Sequence, residues 1–186
     1  MTTTSSPYEW FERARGREAL AERLTWSGFG QRTLAGIVGG LFAGLCMMTF
    51  AVLYDGLAGR GFWLLPNLFA ATLLGVDALV EGAGAVFLGL GIHAIVSIAW
   101  GILFAFVVAR RLPVVRALGW GVPYAFLVWA TMTWAVLPWA DPTLYARVRL
   151  TWNAWLAAHI VYGVASFVIV LALRIFPRPG RVASSY

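Results

Sequence analysis

The chain reads as an all-α integral membrane protein: a four-transmembrane-helix bundle built from two tandem two-helix repeats, preceded by an N-terminal interfacial helix. Three observations predict it. Of 186 residues, 61% are hydrophobic and only 12% charged, with a mean hydropathy of +0.79. Soluble domains carry about 45–50% apolar and ~25% charged residues, so too little polar surface remains here to cover a globule. The apolar residues gather into four runs, Thr33–Leu57, Gly84–Ala109, Ala117–Leu137 and Thr151–Ile175, each near the ~20 residues that cross a hydrocarbon core. The first and third runs also end on nearly the same hexapeptide.

In chain order, residues 1–32 form a charged N-terminal segment without a signal-peptide pattern. Ser6-Pro7-Tyr8-Glu9 has the form of a capping box with proline at the first helical position. The helix it opens is expected to reach about Leu24, with Tyr8, Trp10, Phe11, Ala21 and Leu24 apolar and Glu12, Arg13, Arg17 and Glu18 charged. Such a helix lies in the inner-leaflet interface or docks a partner. A first hairpin (33–110) and a second (111–176) follow, and then a short tail (177–186).

Orientation comes from arginine, which supplies all 14 basic residues. Eleven of these, with the four glutamates Glu9, Glu12, Glu18 and Glu22, flank the spans on one side. Only Arg60, Arg147 and Arg149 accompany Asp55, Asp77, Glu81 and Asp141 on the other. The positive-inside rule places both termini in the cytoplasm of a bacterial inner membrane. Because the arginines follow topology and form no single patch, a nucleic-acid partner is not expected. Trp26, Trp63, Trp120, Trp139, Trp152 and Trp155 fall near span ends and read as an interfacial belt. Trp100, Trp129 and Trp134 lie deeper, as filler between helices, and Pro123 and Pro138 punctuate the edges of the third run.

The repeat rests on two stretches. Met48-Thr-Phe-Ala-Val-Leu53 and Met132-Thr-Trp-Ala-Val-Leu137 differ only in which aromatic they carry. Each is followed, one span later, by a histidine: His93 before Ala-Ile-Val-Ser and His159 before Ile-Val-Tyr-Gly. Two copies of a two-helix hairpin point the same way, with their pseudo-twofold axis along the membrane normal. The first copy holds an outer-face insert, residues 62–79, too short to span and expected as an interfacial or shallow re-entrant helix.

Small residues mark the packing faces. Gly36, Gly40 and Gly44 recur every fourth position on the first run, beside Ala35, Gly39 and Ala43. Gly89, His93, Ser97, Gly101 and Ala105 do so on the second, and His159 lies near Gly163 and Ser166 on the fourth. Such spacing lets backbones approach in lipid, within the chain or against another subunit.

The histidines lie roughly 13 Å of helix in from the outer ends of their runs, by the 1.5 Å rise per residue. Met48 and Met132, with Thr49 and Thr133, fall at the same depth. Ionisable groups at such depth usually face the bundle interior and mark function. Four readings stand open. The histidines bond across helices and lock the bundle. Or His93 and His159 are axial ligands of one b-type haem, with Ser97 and Gly163 making room. Or the sulfurs of Met48 and Met132, with Cys46 and Met47 close by, help hold a metal such as copper. Or the layer lines a solute path. The single cysteine excludes a disulfide framework and a cysteine zinc site. No nucleophile elbow, phosphate loop or His-Glu metal helix occurs.

The run His93-Ala-Ile-Val-Ser97-Ile98, continuing to Arg110 and Pro113, resembles the corresponding span of the YagU-like bacterial inner-membrane proteins, and Ala158-His159-Ile160-Val161 through Arg174 is similar to that family's last span. The resemblance covers little beyond the last three spans and implies a multi-span inner-membrane protein without assigned chemistry. The functional expectation is a non-enzymatic membrane subunit or scaffold, with no cofactor, packed in the bilayer against other subunits or copies of itself. The alternatives are a single-haem electron-transfer protein and a small solute or metal transporter.

Overall fold

The computed structural model describes the backbone of residues 7–80, 82–107 and 113–175, and side chains mainly within 28–173. The capping Ser6, Glu81, Arg110, Arg111 and the tail from 176 lie outside the described residues, as do the side chains of the amphipathic N-terminal segment. Every regular element described is helical. In order these are α1 (Pro7–Leu57), α2 (Leu64–Leu74), a 3-10 turn (Gly75–Leu79), α3 (Ala83–Val107), α4 (Val114–Ala130), a π-helical segment (Thr131–Val136), α5 (Leu137–Ala140), α6 (Pro142–Leu150), α7 (Trp152–Ala165) and α8 (Phe167–Ile175). Four stretches are long and apolar enough to cross a membrane: Gly28–Leu57, Ala83–Val107, Leu118–Ala140 and Trp152–Leu173. They match the four apolar runs to within a few residues.

α1 is one continuous helix of 51 residues. The N-terminal helix and the first span therefore belong to a single rod, without the separate helix end expected near Leu24. The third span changes gauge midway. Pro123 sits inside α4 and Pro138 at the start of α5, so both prolines near the ends of the third span are helical positions. Pro138 has no N–H, and its ring crowds the carbonyl four residues back. The wider i→i−5 bonding of Thr131–Val136, closed by Leu137 N–H on the Met132 carbonyl, absorbs that conflict. The fourth span is likewise two helices. At Ser166 the side-chain hydroxyl donates to the Tyr162 carbonyl at 2.8 Å, a back-bond that bends helices.

The small-residue faces are spent inside the chain. A methyl on Gly36 would stand 2.5 Å from Ile102 Cα, and one on Gly40 would stand 2.6 Å from the Ser97 carbonyl oxygen, so α1 and α3 touch backbone to backbone. Gly101 closes the same contact from the α3 side, and Gly44 leaves room for the Ser97 side chain. The neighbouring face, with Ala35 and Ala43 fully buried, meets the fourth span, where Gly39 packs against Ile169. Gly163 packs on Gly121 and Ala125, joining α7 to α4. Gly121 stands four residues from both Ala117 and Ala125, a small-residue face of the third span. At the inner end, Arg32 donates to the Phe106 carbonyl at 2.8 Å and lies over the Phe106 ring, satisfying an acceptor in the last turn of α3.

Between the first and second spans the insert is α2 and its 3-10 turn, and six residues of α2 are buried. It crosses α3 at Gly89, where any side chain would run into the Pro66 carbonyl. The second hairpin carries its own connecting helix, α6, which was not anticipated. Asp141 starts it: Oδ1 accepts the Leu144 N–H at 2.9 Å, and Pro142 takes the first position. The other carboxylate oxygen of Asp141 accepts the Thr72 hydroxyl at 2.6 Å, tying α2 to α6.

Candidate functional site

The two histidines meet. His93 on α3 and His159 on α7 line one buried cavity of about 20 Å³, together with Ser97, Tyr162, Met47, Met132 and the rings of Phe69, Trp100 and Trp155. Ser97 and His93 share it because α3 presents every fourth residue to α1, and Gly44 lets them approach. The structure brings together His93, His159, Met132 and Ser97. It leaves Met48 out: this residue is buried in the core, but the cavity wall is Met47. Met47 lies on regular α-helix, whereas Met132 lies in the π segment of the third span. Thr49 is exposed, and Thr133 accepts the Trp155 indole N–H at 3.0 Å.

Each histidine is tied to a backbone carbonyl, by a different nitrogen. His93 Nε2–H donates to the Gly44 carbonyl at 3.0 Å, a bond from α3 to α1, with Ser97 Oγ 3.4 Å from the same nitrogen. His159 Nδ1–H donates to the Trp155 carbonyl at 2.8 Å, four residues back on its own helix. An aromatic ring covers each imidazole: Phe69 from α2 at 5.1 Å between centroids for His93, and Trp155 at 4.4 Å for His159. Tyrosines finish the lock on α3. Tyr162 donates to the Ser97 carbonyl at 2.7 Å, and Tyr124 donates to the Trp100 carbonyl.

A second void, about 30 Å³, shares the Trp155 wall with the first. Phe50, Tyr54, Leu65 and Ala158 line it with the buried carboxylate of Asp55 and with Arg147. Asp55 Oδ1 holds Arg60 Nε at 2.7 Å and Arg147 at 3.2 Å, and Arg60 lies over the Tyr54 ring. The hydrogen bond from Asp55 holds the Arg60 guanidinium above its ordinary value. Trp155 is the one side chain that lines both voids. It is therefore a partition inside the bundle and not part of the interfacial belt. Trp134, expected as filler between helices, is instead exposed and meets Trp129 edge to face.

The volume bears on chemistry. A cavity of about 20 Å³ takes about one water, so in this arrangement it does not admit a macrocycle. His93 would also have to release Gly44 to present Nε2 to an iron. No group of three or more His, Cys, Asp or Glu able to hold a metal occurs among the described residues. Cys46 is free and partly buried, outside the cavity wall. Comparison with protein-family models, curated proteins and solved structures finds no match to this chain.

Proposed function

We propose that the chain is a non-enzymatic subunit or scaffold of a membrane assembly, one that meets its partners through its surfaces. The observation that carries this reading is the unbroken course of α1. It begins at Pro7, whereas the apolar stretch begins at Gly28. At 1.5 Å per residue the rod extends roughly 30 Å beyond that stretch. The interior complements this reading, because voids of about 20 and 30 Å³ offer no through path. The small-residue faces, which in sequence alone served the idea of partner packing, hold the chain's own helices together; the partner surface is better sought on the α1 extension.

In the same reading the bundle sits in a bacterial inner membrane with both termini cytoplasmic, supported by the arginine asymmetry and an even number of spans. The two hairpins are tandem copies, supported by the shared hexapeptide, the paired histidines, and a glycine contact within each hairpin. The resemblance to YagU-like proteins is in keeping with this placement. The test is mild-detergent purification of the full chain beside a chain starting at residue 28. Stoichiometric partners on the full chain alone are expected. A full chain that runs as a clean monomer or homodimer overturns the reading. A Soret band in the purified protein would establish the haem alternative in its place.

A further inference from the structure

Each of the four spans contributes one donor to the first cavity. Met47 comes from α1, His93 from α3, Met132 from the π segment and His159 from α7. All four are buried. The backbone sets the tautomers. A carbonyl only accepts, so Gly44 places the His93 proton on Nε2 and leaves the lone pair on Nδ1. Trp155 places the His159 proton on Nδ1 and leaves the lone pair on Nε2. No donor among the described residues reaches either lone pair. A histidine whose far N–H is taken by a backbone carbonyl has the outer-shell arrangement that orients and strengthens metal-binding imidazoles.

The donor set selects the ion. Thioether and imidazole are soft and borderline ligands of the kind that favour Cu(I). No carboxylate or thiolate lines the cavity, so a divalent ion would bring an uncompensated double charge into dry surroundings, and a monovalent one far less. The rings of Phe69 and Trp155 are also part of the cavity wall. At about 20 Å³ the cavity has room for one ion and no ligand larger than water. The geometry points to a single-ion site for a soft monovalent metal, Cu(I), held by Met47, His93, Met132 and His159. The route in is from the second void, across the wall that Trp155 shares with both.

The test uses the detergent-purified full chain with Ag(I), a redox-silent probe of the same chemistry, and with Cu(I) kept reduced under anaerobic conditions. One ion per chain is expected after desalting, with quenching of tryptophan fluorescence, and no retention of Zn(II). Met47→Leu with Met132→Leu keeps side-chain size and is expected to weaken binding by at least about 100-fold, the upper end of what loss of an outer-shell partner costs. Met48→Leu and Cys46→Ser are expected to retain one ion. If the double variant does not purify, Met47→Leu against Met48→Leu carries the same comparison between adjacent methionines. The proposal is overturned by a wild-type chain that retains neither Ag(I) nor Cu(I), by Zn(II) retained as well as Ag(I), by leucine variants that bind as the wild type does, or by loss of binding in Cys46→Ser.

Discussion

His93 and His159 line the same cavity, and their neighbourhoods are built on opposite plans. Four residues before His93 stands Gly89; four residues before His159 stands Trp155. The glycine leaves a hollow that admits α2, so that a separate segment delivers the covering ring, Phe69. In the second hairpin the tryptophan fills the equivalent hollow with its own indole, and no insert is needed. The hydrogen bonds differ in the same sense. His93 reaches across to α1, whereas His159 bonds within its own helix. One histidine is thus secured by tertiary structure and the other by its local turn. The same residue at the same depth has a structural meaning set by its neighbours.

Four substitutions break or sharpen this contrast. Trp155→Ala removes the ring over His159, the bond to Thr133 and the wall between the two voids. It is expected to cost about 3–5 kcal/mol, as large aromatic truncations in packed cores do. Denaturant unfolding in detergent micelles measures it, and a cost under ~1 kcal/mol would mean that the indole is not a core element. Gly89→Ala drives a methyl into the Pro66 carbonyl and should unseat α2 for about 1–3 kcal/mol. Proteolysis between residues 58 and 82 is expected to accelerate, and an insert that stays protected refutes the close crossing. The smallest effect separates the histidines themselves. His93→Leu loses a bond between helices, of the kind that averages ~0.6 and reaches ~1.7 kcal/mol in membranes. His159→Leu loses only a bond within its helix and is expected to cost less in the same assay; the reverse order would contradict the contrast.

Much of the architecture was legible in the residues. Span number and approximate limits follow from the length of the apolar runs, because lipid forces each run to bond internally. The Gly36–Gly40–Gly44 and Ser97–Gly101 faces were legible because four-residue spacing maps onto one helix face. What hydropathy does not carry is register. Nothing in Met132-Thr-Trp-Ala-Val-Leu announces a π turn, since its near twin at Met48 is α-helical. The difference lies one residue beyond, at Pro138. Trp155 was misplaced for a similar reason. A tryptophan near a span end has the same composition signal whether it faces lipid or a histidine. The connecting helix α6 did leave a mark, Asp141-Pro142, an N-cap followed by a first-turn proline, overlooked because the segment is polar and short.

The Asp141 carboxylate has a consequence for how the protein is made. Thr72 lies 69 residues upstream of it, and Asp55 lies 92 residues upstream of Arg147. At ~5–20 residues per second, roughly 3–14 s of synthesis separate the insert from the group that fastens it. During that interval Arg60, five residues away, is already available to Asp55, but α2 has no anchor in α6. Until then α2 is held by its crossing with α3 at Gly89, and α6 later adds the Thr72–Asp141 clasp. Chains stalled before residue 141 should carry an insert that the finished protein hides.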